Sequence, residues 1–371
     1  MTGWRTGILR EVCNISTGFA FKGEQYESSG SLRVVRGENV TIGTLRWDSE
    51  KHWNHSSADL ENYLLSANDI VIGMDGSRVG HNRAKIRAVD LPLILAQRVA
   101  RLRAKNGFDQ DFIWYQIIDD RFKDYVEAIH TGTSIPHISM NQIGDYEVTL
   151  PPFPEQKAIA ALLSSLDDKI DLLHRQNKTL EAMAETLFRK WFVEEAQEDW
   201  EVVKLGDFFP VVTGKKDANF STDDGEYPFF TCSQTAIKAP SFSFDGAAIL
   251  LSGNGDFNVK RYIGKFEAYQ RTYVLMPYEV KYLSFLFTLM RYFLSDITGG
   301  HQGSVINFIT KGMITDFTFS MPNDRGMISD KLEQFNEMYE KVDSNTWQIS
   351  TLKKLRDNLL PKLMNGEVRV A

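Results

Sequence analysis

The feature that most constrains this chain is that its pattern is written twice. Trp4-x4-Leu9-x-Glu11, followed by Thr17-Gly18, returns 196 residues later as Trp200-x4-Leu205-x-Asp207, followed by Thr213-Gly214. Asp75-Gly76, after the apolar run DIVIGM, is answered by Asn254-Gly255 after AAILLSG. Gln97-Arg98 is echoed by Gln270-Arg271, and the stretch Thr131 to Pro152 by Gln302 to Pro322. The constant order of these echoes implies two copies of one structural unit, so any fold proposed for one half must hold for the other.

Each copy closes on a long helical pattern. In the first, Leu163, Leu166, Ile170, Leu173, Asn177, Leu180, Ala184 and Leu187 alternate in steps of three and four, which is a heptad seam. In the second, Phe335, Met338, Val342, Asn345, Ile349, Leu352, Arg356, Leu359 and Leu363 form its counterpart. Setting Asn177 opposite Asn345 in an antiparallel pair also opposes Leu163 to Leu359, Ile170 to Leu352 and Leu187 to Phe335. A parallel pair would instead set Asn177 against Ile349 and Asn345 against Leu173, leaving buried amides without partners. The expected fold is therefore α+β, with two mixed α/β domains in internal repeat separated by two long antiparallel coiled-coil helices. The first globular domain spans 1–152, the first helix 153–195, the second domain 196–324 and the second helix 325–371. Within each domain a single helix is expected (Asp111 to Ile129; Lys281 to Ile297), with Phe112, Tyr115, Phe122, Tyr125 and Ile129 as a buried stripe.

Charge and chemistry narrow the function. The net charge of −7 argues against a protein that coats nucleic acid indiscriminately. The charge is uneven, however: Arg78 to Lys105 holds eight Lys/Arg against one acid, whereas Glu155 to Asp199 holds ten acids and six bases. The first segment suits phosphates and the second a protein partner. Two cysteines build neither a disulfide framework nor a zinc site, so no metal is expected. The opening MTGWRTGILREV has no basic stretch followed by an apolar run, and Tyr282 to Leu294 is too short to span a bilayer. A cytoplasmic protein with no membrane partner is expected. No phosphate-binding loop, dinucleotide fingerprint or N/D-P-P-Y-type motif is present, and no histidine recurs between the copies, so no catalytic residue is expected. What remains are side chains able to reach phosphates and base edges. These are Arg78, His81, Asn82, Arg83, Gln97 and Arg98 in the first copy, and Asn254, Asn258, Lys260, Arg261, Gln270 and Arg271 in the second. Thr133, Ser134 and Ser304, in turns after the helices, complete the set.

One family matches these residues. The run from Thr131-Gly132-Thr133-Ser134-Ile135 through Leu150-Pro151-Pro152, Pro154-Glu155-Gln156 and Leu166-Asp167-Asp168-Lys169-Ile170 resembles the boundary between recognition domain and conserved helix in type I restriction–modification specificity subunits. So do Phe188 to Phe192 (FRKWF) and Leu359 to Val368 (LLPKLMNGEV). The resemblance implies two target-recognition domains, each binding one half of a bipartite site in double-stranded DNA, and a helical spacer that docks two methylation subunits. It implies that S-adenosylmethionine sits on those partners and that this chain binds no cofactor. Translocase–nuclease subunits would complete the restriction enzyme. On the residues alone, two other readings stay open. One is a catalytic methyltransferase or nuclease, and the other a DNA-binding regulator or adaptor with duplicated recognition domains.

Overall fold

A computed structural model describes residues 3–54, 58–130, 136–299 and 308–370. The chain divides into two compact units, Met1–Ile170 with Ser350–Ala371, and Asp171–Ile349. Thr133, Ser134 and Ser304 lie outside the described residues.

Both units are built on the same plan. In each, an opening strand pairs antiparallel with a closing strand: Arg5–Ile8 with Glu147–Leu150, and Glu201–Lys204 with Thr318–Met321. The turn that follows is anchored alike, Leu9 N donating to Tyr146 O and Leu205 N to Phe317 O, both at 2.9 Å. The first unit then forms a five-stranded sheet around Ile70–Gly73, which pairs antiparallel with Arg83–Lys85 and Val99–Ala104. The second forms a six-stranded sheet around Phe244–Ser252, which pairs with Val259–Ala268 and Thr272–Leu275. The central strands are buried along their apolar runs, as expected where both faces are covered.

Thr17-Gly18 and Thr213-Gly214 recur for a steric reason. A Cβ on Gly18 would stand 2.3 Å from the carbonyl of Ala96, and one on Gly214 would stand 2.1 Å from the carbonyl of Ala268. Only glycine lets the two backbones approach so closely. Gly18 N then donates to Val99 O and Gly214 N to Thr272 O, at 3.2 and 3.0 Å.

The helices within the globular parts differ from the sequence reading. Instead of one helix, the first unit has Gln110–Ile118 and Asp120–Ile129, broken at Asp119. The Asp119 carboxylate accepts from Arg121 N and so caps the second segment, which a continuous helix would not allow. In the second unit Leu283–Tyr292 and Leu294–Ile297 are broken at Phe293. Phe112, Tyr115 and Phe122 are buried, whereas Tyr125 and Ile129 are half-buried and Val126 takes the inner place.

The long helices run Phe153–Arg189 and Ser329–Met364. The first continues into a π turn, Lys190–Glu194. Within the first unit Leu163 and Ile170 are buried, Leu352 and Leu359 half-buried, and Arg356 donates to Asp167 Oδ1 at 2.7 Å. Within the second, Asn345 is fully buried and its Nδ2 donates to Asn177 Oδ1 at 2.8 Å. Trp191 and Phe335 meet edge-to-face in the same unit, so the helix segments there run antiparallel. Near its end the first helix turns Phe188, rather than Leu187, fully inward. Phe188 stacks on Phe192 and tilts against Phe285, because the side chains there fill the second unit's core as well as the helix seam.

Each globular part is tied to its own stretch of long helix at equivalent positions. Tyr115 Oη donates to Asp167 Oδ2 at 2.7 Å, and Thr288 Oγ1 donates to Tyr339 Oη at 3.2 Å. The polar partners differ but the geometry recurs.

The Asn177–Asn345 layer gives a stability test. Asn177→Leu leaves the buried Asn345 amide only the longer bond to Gln176 Oε1, at 3.4 Å, and is expected to cost about 1–3 kcal/mol. Adding Asn345→Leu is expected to recover that loss, because both partners then become apolar. Urea unfolding of the two variants, compared with the native chain, measures both steps.

Candidate nucleic-acid interface

The repeated loops assemble a small frame in each unit. In the first, the Asp75-Gly76 loop is held by Met74 N donating to Arg98 O and Ile138 N donating to Met74 O, both at 2.9 Å. In the second, Gly253 N donates to Arg271 O at 2.8 Å and Ile309 N to Gly253 O at 2.9 Å. Bridges pair Asp75 with His137 and Asn254 with Phe308. The adjoining turn is also matched: Gln97 N donates to Phe19 O at 2.8 Å and Gln270 N to Lys216 O at 2.9 Å. Gly76 and Gly255, each one residue further on, have φ of +98° and +74°. Both frames therefore present a Gln-Arg turn beside an Asx-Gly turn, positioned by matching main-chain bonds to which the second unit adds Tyr273 Oη donating to Ile309 O at 2.7 Å. Side chains on such a frame are free to vary without altering it.

The expected contacts fall into two groups. Arg78, Gln97 and Arg98 in the first unit, and Gln270 and Arg271 in the second, are exposed. Arg98 stands in the left-handed region at φ +69°, uncommon for a residue with a side chain, and its Nε is 4.0 Å from Asp75 Oδ2. Gln270 Nε2 reaches Asp217 Oδ2 at 3.5 Å. His81 is half-buried with Nε2 3.0 Å from Glu127 Oε1, Asn82 is half-buried, and Asn254 Oδ1 accepts from the Cys232 thiol at 3.0 Å.

The second group is occupied inside the fold. Arg83 is 3% exposed, and its guanidinium donates to Gly80 O and Ile118 O at 2.9 and 3.0 Å. Burial lowers its pKa, with the carboxylates of Asp120 and Asp119 opposing. Asn258 is buried and donates to Cys232 O and Asp256 O. Lys260 bonds the Asn258 side chain, and burial lowers the pKa of its ammonium. Arg261 pairs with Asp343 and lies over the Tyr339 ring. Arg83 and Asn258 are thus buried framework residues rather than exposed contacts, while Lys260 and Arg261 are half-buried and engaged by neighbours within the fold.

Most of the basic run is engaged within the fold. Lys85 pairs with Asp111, Arg87 with Asp90, and Arg103 with Asp69. Arg101 donates to Asn62 O and Leu64 O, and Lys105 to Arg10 O. The surplus of cations in Arg78 to Lys105 therefore ties strands and loops together, and the exposed cations that remain are Arg78 and Arg98, with Arg87 partly so. Sequence reading missed two residues of the frames, Asp75 and Cys232. The Asp75-Gly76 echo was the available signal for the first; nothing marked the second. Among the described residues no cluster of His, Cys, Asp or Glu could hold a metal ion, and no helix is long and apolar enough to cross a membrane.

The division between the groups is measurable. Arg83→Ala should cost about 2–3 kcal/mol, since it leaves the buried Gly80 carbonyl and the half-buried Ile118 carbonyl without this donor. Arg98→Ala and Arg271→Ala should each change stability by less than about 0.5 kcal/mol. Chemical denaturation of the three variants checks this.

Comparison with known proteins accords with this architecture. The sequence profile described as Type I restriction modification DNA specificity domain matches residues 1–182 and again 197–345. The chain is 42% identical over 173 residues to the type I restriction enzyme EcoDI specificity subunit of Escherichia coli, an alignment covering 46% of this chain and 39% of that protein. It is 25% identical over 321 residues to the MjaIX specificity subunit of Methanocaldococcus jannaschii, covering 75% and 74%. The fold matches a crystal structure of the type I restriction–modification S subunit from M. genitalium with a TM-score of 0.65 at 17% identity, over 98% of this chain and 96% of that one. The chain belongs to the type I restriction–modification DNA specificity family and carries its domain twice.

Proposed function

We propose that this chain is the non-catalytic, DNA-reading subunit of a type I restriction–modification complex. Each unit recognises one half of a bipartite site in double-stranded DNA. The observation that carries this is the repeated frame: two different sequences build the same main-chain support and present an exposed arginine, Arg98 or Arg271, beside a variable Asx side chain. A guanidinium fork and an amide or carboxylate are the groups that discriminate base edges in the major groove. Two copies of a methylation subunit, bound to the long helices, would bring S-adenosylmethionine; this chain would bind no cofactor itself. Translocase–nuclease subunits would add restriction.

Two experiments test the reading. The full chain with S-adenosylmethionine and DNA is expected to transfer no methyl groups, and to support methylation of a two-part site once methylation subunits are added. Methyl transfer by the chain alone would overturn it. The second uses Cys232, whose thiol touches Asn254 and the Arg271 carbonyl, while Cys13 is buried with its pKa pushed up to about 12 by desolvation. Specific DNA should slow maleimide labelling of Cys232 by about tenfold or more, and unrelated DNA at moderate salt should not.

The helices would act as a ruler. At about 1.5 Å per residue, one heptad added to both lengthens each by roughly 10.5 Å. The unread spacer should then grow by up to about three base pairs, with both half-sites unchanged. Sequencing of methylated sites reads this directly, and altered half-sites with a constant spacer would reject the ruler.

A further inference from the structure

The two frames differ in one telling place. Asp75 occupies the position in the first unit that Asn254 occupies in the second, since both follow the residue whose N–H donates to the Gln-Arg turn and both form an isolated bridge, to His137 and Phe308. A carboxylate is an odd group to place on a surface that meets a polyanion. Ionised, it accepts hydrogen bonds and donates none. Against DNA it is repelled by phosphates and satisfied only by an exocyclic amino group, that of cytosine above all.

Asp75 does not stand alone. Its Oδ2 lies 4.0 Å from Arg98 Nε, close enough for attraction and too far for a direct hydrogen bond. Its side chain is 36% exposed and that of Arg98 is 65% exposed, so neither is consumed by the other. Arg98 is held in the left-handed region, which fixes where its side chain leaves the turn. A guanidinium favours the O6 and N7 of guanine, and the amino group of the paired cytosine lies beside that O6. Resting on the proposed function, we infer that Arg98 and Asp75 together read one G·C pair, with Asp75 the specificity-determining acceptor for the cytosine amino group.

In the second unit the Cys232 thiol donates to Asn254 Oδ1, which fixes the amide and presents its Nδ2 donor. Asn254 therefore selects a base-edge acceptor where Asp75 selects a donor. The same frame thus reads opposite hydrogen-bond polarity in the two halves of the site.

The test uses the full chain co-expressed with its methylation subunits, and sequencing of methylated DNA. Asp75→Asn should relax the G·C requirement at one position of one half-site by about tenfold, leaving the other half intact. Asn254→Asp should alter only that other half. Arg98→Lys, which keeps the charge but loses the fork, should relax the same pair as Asp75→Asn, and it stands in should the latter not fold. An unchanged site for Asp75→Asn, or weaker methylation of an unchanged site, would overturn the inference, because Asp75 would then only steady Arg98. Changes in both halves would overturn it as well. A native complex that methylates no two-part site would instead remove the functional reading on which the inference rests.

Discussion

The close approach of two backbones at Gly18, and again at Gly214, is the contact on which each loop frame depends. With no Cβ in the way, the chain entering the sheet lies against the Ala96 or Ala268 carbonyl and bonds the strand beyond it. That contact pins the Gln-Arg turn from one side. The Asx-Gly loop pins it from the other through a single N–H donated to the arginine carbonyl. A side chain at either glycine would push the two strands apart by more than van der Waals tolerance and detach the turn from its support.

A frame held mainly by main-chain bonds separates its support from its exposed side chains. The buried sheets and the ties from Tyr115 to Asp167 and from Thr288 to Tyr339 set where the frame sits, while the exposed tips are left free to change. The second tie differs in every polar atom from the first, yet occupies the same place. Duplication has preserved positions here more strictly than chemistry.

Much of this was legible in the sequence, and the reason is periodicity. The heptad steps through Leu163, Ile170 and Leu173, and the echoing order of turns, are patterns that a backbone of fixed pitch imposes. What was not legible is burial. Arg83, Asn258, Lys260 and Arg261 read as nucleic-acid contacts because sequence reports charge and amide content, not which way a strand residue points once a sheet and a helix have closed over it. Arg83 lies inside because Gly80 and Ile118 offer carbonyls there, one from a nearby turn and one from the end of a helix. The break at Asp119 escaped for a similar reason: the aromatic stripe runs through it, and only the carboxylate's bond to Arg121 N reveals a second helix start. Asp75 was not among the expected contacts because phosphate donors and forked or amide side chains define that set, and a carboxylate is neither.

The division of the chain has a consequence for its synthesis. The second unit, Asp171–Ile349, is one unbroken stretch, whereas the first is completed only by Ser350–Ala371, whose Leu360, Leu363 and Met364 join its core. A ribosome delivers the second unit whole while the first is still missing a wall. The part made earliest is closed only after the later one, so a chain stopped at Ile349 leaves the first unit unsealed and the second intact.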